Sequence, residues 1–83
     1  MIVEGDFMLQ MLKVFSTQGR LLEIFLHGKK EEMLNGYAVD FHWDDMDDFV
    51  TFHNNGTKRK KRILVNKIKK ITAKGEYNNE FKT

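Results

Sequence analysis

The chain has 83 residues, no cysteine and no proline, and its composition is 41% hydrophobic and 12% aromatic. This describes one small packed domain and excludes disulfide staples, thiolate metal sites and a cysteine nucleophile. A net charge of +2 conceals a division: residues 1–57 hold ten acids and four bases, whereas residues 58–83 hold ten bases and two acids. Such asymmetry suits either nucleic-acid contact or complementary faces for self-association. The longest apolar runs are a few residues, and Met1 to Asp6 lacks a signal-peptide pattern, so a cytoplasmic protein without membrane contact is expected.

In chain order, Asp6 is placed to cap a helix over about residues 6–17, because Phe7, Met8, Met11, Leu12, Val14 and Phe15 recur at helical spacings. Gly19 suits its left-handed C-terminal cap. From Arg20 the period changes to two, and Leu22, Ile24 and Leu26 share one face of a strand over roughly 20–27, which ends at the polar turn His27-Gly28-Lys29-Lys30. The run Met33 to Phe41 predicts a long second strand in which Gly36 marks a bulge, a bend or a close backbone approach.

An acidic connector, residues 42–48, leads to the short strand Phe49 to His53, and Asn54-Asn55-Gly56 signals a hairpin because these residues tolerate positive φ. The returning strands are Lys60 to Val65 and Lys67 to Thr72. Residues 1–73 thus read as one domain and residues 74–83 as a mobile C-terminal tail. The fold class expected is mainly β: an N-terminal helix, then a five-stranded, strongly bent antiparallel small barrel of SH3-like kind. Its core would come from Leu22, Ile24, Leu26, Val39, Phe41, Val50, Phe52, Ile63, Val65 and Ile68. A barrel this small leaves open edges that invite strand pairing with a neighbour.

Several of these segments resemble the Sm-like family, in particular its bacterial branch, the Hfq RNA chaperones. Leu26-His27-Gly28 resembles the turn after the first strand, and Gly36-Tyr37-Ala38-Val39-Asp40-Phe41 resembles the bent strand with its glycine-to-phenylalanine spacing. Asp48-Phe49-Val50 is similar to the opening of the third strand. The run Arg62 to Ile71 is similar to the second family motif, in which paired short strands meet at a tight turn. The likeness covers about residues 6–72. It implies a ring or other homo-oligomer that contacts RNA, with Phe49 at the position of the aromatic on which a base stacks. The Hfq Tyr-Lys-His triplet falls on Leu64-Val65-Asn66, and the Arg-Gly pair of the other branch on Val65-Asn66, so neither is present.

The strongest chemical feature is Lys58-Arg59-Lys60-Lys61-Arg62, five consecutive cations beside a hairpin turn. Alternate members of a strand point to opposite sides, so two or three can follow one phosphate chain. The bland counterpart is a charged edge that resists aggregation. Asn66 and Lys67 extend the expected RNA-binding set of Phe49, Lys58, Arg59, Lys60, Lys61 and Arg62. The segment Asp44 to Asp48 lacks the spacing of a calcium loop and reads as a solvated turn. His27, His42 and His53 read as surface residues, and Ser16 has no recognisable catalytic partners. No enzyme, metal or cofactor is expected. RNA is the expected partner; the alternative is a protein-binding adaptor or inhibitor that uses Trp43 and the Asp44 to Asp48 segment.

Overall fold

The structure, a computed structural model, describes all residues except 29 and 31. Lys29 of the expected polar turn therefore lies outside the described residues. The elements are β1 (Ile2–Val3), α1 (Met8–Gln18), β2 (Arg20–Leu26), β3 (Glu32–Trp43), β4 (Asp48–Asn54), β5 (Arg59–Leu64) and β6 (Ile68–Tyr77). Their hydrogen-bonded order is β1-β6-β2-β3-β4-β5, with every pairing antiparallel. The fold is mainly β with one N-terminal helix, as the two hydrophobic periods predict. The strand count is six rather than five, because Ile2 and Val3 add to β6, and the sheet is open, with β1 and β5 at its edges.

Helix α1 begins later than its apolar pattern. Gly5 to Phe7 form a 3-10 turn, Phe7 holds the cap position, and no side chain caps the first turn, so the expected Asp6 cap is not formed. At the other end Gly19 takes the left-handed conformation (φ 62°), and its N–H reaches the Phe15 and Ser16 carbonyls. This satisfies groups that a helix end leaves free. Met8, Leu12 and Phe15 bury against the sheet, while Phe7 faces solvent.

Every strand contributes to a single core. Leu22, Ile24, Val50, Phe52, Ile63 and Ile68 are buried as expected, and Leu26, Phe41 and Val65 pack against them partly exposed. Val39 does not join. The register between β3 and β4 slips between Ala38 and Asp40, so Val39 is the extra residue of a bulge, and the inward face passes from Leu34 and Ala38 to Phe41. Gly36 lies inside the bent strand before that slip. A Cβ there would collide with the backbone carbonyl of His53 on β4, which makes close approach, not the bulge, the reason for glycine.

The expected connector is shorter than read, since β3 continues through His42 to Trp43 and only residues 44–47 link it to β4. In the hairpin between β4 and β5, positive φ falls on Lys58 (59°), not on the asparagines or Gly56. The Asn54 carbonyl accepts the Lys58 N–H at 2.8 Å while the Asn54 side chain accepts the Gly56 N–H at 2.8 Å.

The expected tail is seated on the domain. β6 runs to Tyr77, opposite Arg20, and residues 79–81 form a 3-10 turn. The Asn78 N–H donates to the Gly19 carbonyl at 2.7 Å, the Thr83 N–H donates to the Ser16 carbonyl at 3.1 Å, and the Ser16 and Thr83 hydroxyls meet at 2.8 Å. Phe81 stacks on Tyr37 with ring centroids 4.3 Å apart and lies 4.6 Å from His53. No helix among the described residues is long and apolar enough to cross a membrane.

Candidate nucleic-acid interface

The cationic run occupies an edge. Arg59 to Arg62 are the first four residues of β5, all exposed, and Lys58 sits in the turn before them. Pairing with β4 sets their directions: Lys61 lies opposite the buried Phe52 and Ile63 opposite Val50, whereas Lys60 lies opposite His53 and Arg62 opposite Thr51. Arg59 and Lys61 therefore share the core-facing side of the sheet, and Lys60 and Arg62 its opposite side. The inner side stays open at Lys61 because the core ends with Ile63.

Phe49, the second residue of β4, lies opposite Leu64, on the same side as Arg62. It is half-buried and lies outside the core cluster. The Arg62 guanidinium carbon stands 5.9 Å from its ring centroid, within cation–π range. Around this pair lies a cleft of about 590 Å³. One wall comes from β5 with Lys61 to Leu64, the other from the end of β2 and its hairpin with Leu26, His27, Gly28, Lys30 and Glu32, and Lys67 closes one end. Among the described residues, the lining holds the cations Lys30, Lys61, Arg62 and Lys67 and the carboxylate of Glu32. A hydrogen bond from the His27 N–H to the Lys67 carbonyl, 2.8 Å, ties the end of β2 to the turn that follows β5.

Of the eight residues expected from sequence, Phe49, Lys61, Arg62 and Lys67 come together in this cleft. Arg59, Lys60 and Lys61 line a separate, smaller depression of about 370 Å³ with Asn54, Thr57, Glu32 and Leu34, which shares Lys61 and Glu32 with the cleft. Asn66 is separate. It lines a depression of about 510 Å³ that shares His27 with the cleft and carries Asp6, Asp47 and Asp48 beside Lys69, an acidic balance that disfavours phosphate. Lys30, His27 and Glu32 are cleft residues that the sequence reading did not include. They reach the site from the β2–β3 hairpin, which β4 separates from β5 in the sheet, a placement that no local pattern could reveal.

Trp43 ends β3 opposite Asp48 with 78% of its surface exposed, and Met46 is 88% exposed, so neither belongs to the core. Asp44 organises the turn between them: its carboxylate accepts the N–H groups of Met46 at 2.9 Å and Asp47 at 2.8 Å. Those two donors hold its pKa below the ordinary aspartate value. His53 lies tilted against the Phe81 ring, while His27 and His42 are exposed. Among the described residues no three His, Asp or Glu side chains are grouped to hold a metal ion. In comparison with known proteins, the chain matches no protein-family model, no curated protein and no solved structure.

Proposed function

We propose that this chain is an Sm-like, RNA-binding protein of the cytoplasm, a small β-barrel that forms a ring or other homo-oligomer and acts as an RNA chaperone or post-transcriptional regulator rather than as an enzyme. The observation that carries the reading is the cleft in which a half-buried aromatic, Phe49, lies among Lys30, Lys61, Arg62 and Lys67. A single-stranded nucleic acid needs both parts: cations for successive phosphates and a π-face for a base. The leading helix, the close approach at Gly36 and the single 3-10 turn joining β5 to β6 agree with the resemblance. Arg62 over Phe49 provides a second planar surface, so the base stacks on either the ring or the guanidinium.

Filter binding of generic single-stranded RNA at two salt concentrations tests this. Exchanging Lys61, Arg62 and Lys67 for glutamine together should weaken binding for all sequences and flatten the salt dependence, since fewer counterions are released. Phe49→Leu should cost about 1–3 kcal/mol with little change in salt slope, because lost stacking carries no charge. If the triple variant keeps its fold and its full affinity, the run is only a charged edge.

The adaptor reading then takes its place, and one observation favours it: exposed Trp43 and Met46 flank Asp44 and Asp45. An exposed tryptophan beside carboxylates suits a basic protein partner. Trp43→Ala should abolish such an interaction while leaving RNA binding unchanged, which pull-down and filter binding on one preparation would separate.

A further inference from the structure

The sequence holds two Asn-Gly pairs, Asn35-Gly36 and Asn55-Gly56. Asparagine followed by glycine is the pair most prone to deamidate, because no side chain on the next residue hinders its backbone nitrogen from closing on the asparagine carboxamide. By sequence the two are equals; the fold separates them. Gly36 is buried within β3, opposite Leu22 on β2 and Asn54 on β4, and so close to the His53 carbonyl that a Cβ would not fit. Ring closure there requires the strand to part from its neighbours. Gly56 is exposed in the turn between β4 and β5, where a Cβ would meet only the end of the Asn54 side chain, at 3.2 Å. Solvent base reaches this turn without any strand having to part.

The two pairs also touch. The Asn55 Nδ2 group donates to Asn35 Oδ1 at 3.2 Å, and the Asn55 N–H donates to the Asn35 carbonyl at 2.8 Å. The Gly56 N–H, whose nitrogen is the one that can attack, donates to Asn54 Oδ1 at 2.8 Å. An acceptor on the neutral N–H disfavours its anion, so Asn54 slows the reaction without blocking it. What these contacts hold is β5. Of its six residues only Ile63 is buried, and the Asn35–Asn55 contacts fasten the turn from which it starts to β3.

We propose that Asn55 is a site of spontaneous deamidation, with Asn35 spared, and that its conversion releases the hairpin that carries the cationic strand. Hydroxide takes the Gly56 amide proton, and the nitrogen forms a bond to the Asn55 side-chain carbonyl carbon. The bond from that carbon to Nδ2 then breaks, and ammonia leaves with a proton drawn from water, which restores the hydroxide. Water opens the five-membered imide at either carbonyl to leave aspartate or isoaspartate, so the net change is one water consumed and one ammonia released. Either product puts an acceptor-only carboxylate where a donor stood, and it repels Asn35 Oδ1 instead of bonding to it. Isoaspartate also lengthens the main chain within the turn. The new negative charge falls just ahead of the run Lys58 to Arg62. Neither step depends on RNA contact.

Peptide mapping by mass spectrometry on the full chain, kept folded in mildly alkaline buffer, reads each pair separately. Asn55 should convert at least about tenfold faster than Asn35, whereas in concentrated urea the two should convert at similar rates, since only the fold distinguishes them. Equal rates in the folded protein, faster conversion at Asn35, or conversion at neither overturns the proposal. Asn54→Ala, which frees the attacking nitrogen, should raise the rate at Asn55 by about two- to tenfold. A folded variant that converts no faster overturns the restraint assigned to Asn54. If Asn54→Ala fails to fold by circular dichroism, the folded and urea-treated parent decide alone. Converted chains, separated by ion exchange through their added charge, should show faster amide hydrogen exchange at Arg59 to Arg62 than fresh protein, with β2 unchanged. Asn55→Asp should behave as the converted chain does. Protection of β5 that survives conversion overturns the release of the hairpin.

Discussion

At the scale of single residues, Gly36 and Asp44 show how local chemistry meets tertiary demand. Gly36→Val would drive a branched side chain into the His53 carbonyl and the Phe52 ring. Backbone on a paired strand cannot yield as a flexible side chain does, so a loss of about 1–3 kcal/mol or more is expected in denaturant unfolding. A variant as stable as the parent would show that β3 and β4 do not touch there. Asp44 is exposed, and its lowered pKa comes from the Met46 and Asp47 N–H groups. A carboxylate with a depressed folded pKa contributes order above its unfolded value and loses it as pH falls through the lowered one. The 44–47 turn should therefore hold at neutral pH and loosen only in acid below about pH 3.8, which amide chemical shifts of Met46 and Asp47 would report. Asp44→Ala should give the loosened spectrum already at pH 7.

At the scale of elements, the C-terminal turn and the cationic strand carry opposite lessons. Phe81 joins Tyr37 and His53 in one aromatic group, and backbone bonds at Asn78 and Thr83 fasten the same segment to the end of α1. Phe81→Ala should cost about 0.5–1.5 kcal/mol beyond the lost buried area and should speed proteolysis after residue 77. Unchanged stability and protease resistance would mean that the backbone bonds alone seat the segment. β5, by contrast, has little apolar anchorage: of its six residues only Ile63 is buried. Its position rests on pairing with β4 and on the Asn54 turn, which is further tied by the Asn55 N–H donating to the Asn35 carbonyl at 2.8 Å.

At the scale of the whole molecule, the division of charge along the chain governs the expected response to salt. Binding of RNA by Lys61, Arg62 and their neighbours should weaken as salt rises, because the gain from counterion release shrinks. A filter-binding series at low and high salt checks this, and an affinity indifferent to salt would mean that these cations do not follow the phosphates.

Sequence alone determined the periods, the stops and the charge. The helical spacing of Met8, Leu12 and Phe15, the Gly19 cap, the alternation in β2 and the cation run of β5 are local features, written in neighbouring residues. Tertiary structure decided what depends on distant partners. Ile2 and Val3 became a strand because β6 presented an edge, Val39 left the core because of a bulge between two strands, and residues 78–83 found a seat formed by α1, β3 and β4. The cleft divides in the same way. Phe49, Lys61, Arg62 and Lys67 were legible as residue types at suggestive places, but Lys30 and Glu32 join them from the β2–β3 hairpin, which β4 separates from β5 in the sheet, and Asn66 lines a different depression from its neighbour Lys67. A strand's side-chain alternation is fixed within two residues, whereas which wall it faces is fixed by register with a strand many residues away.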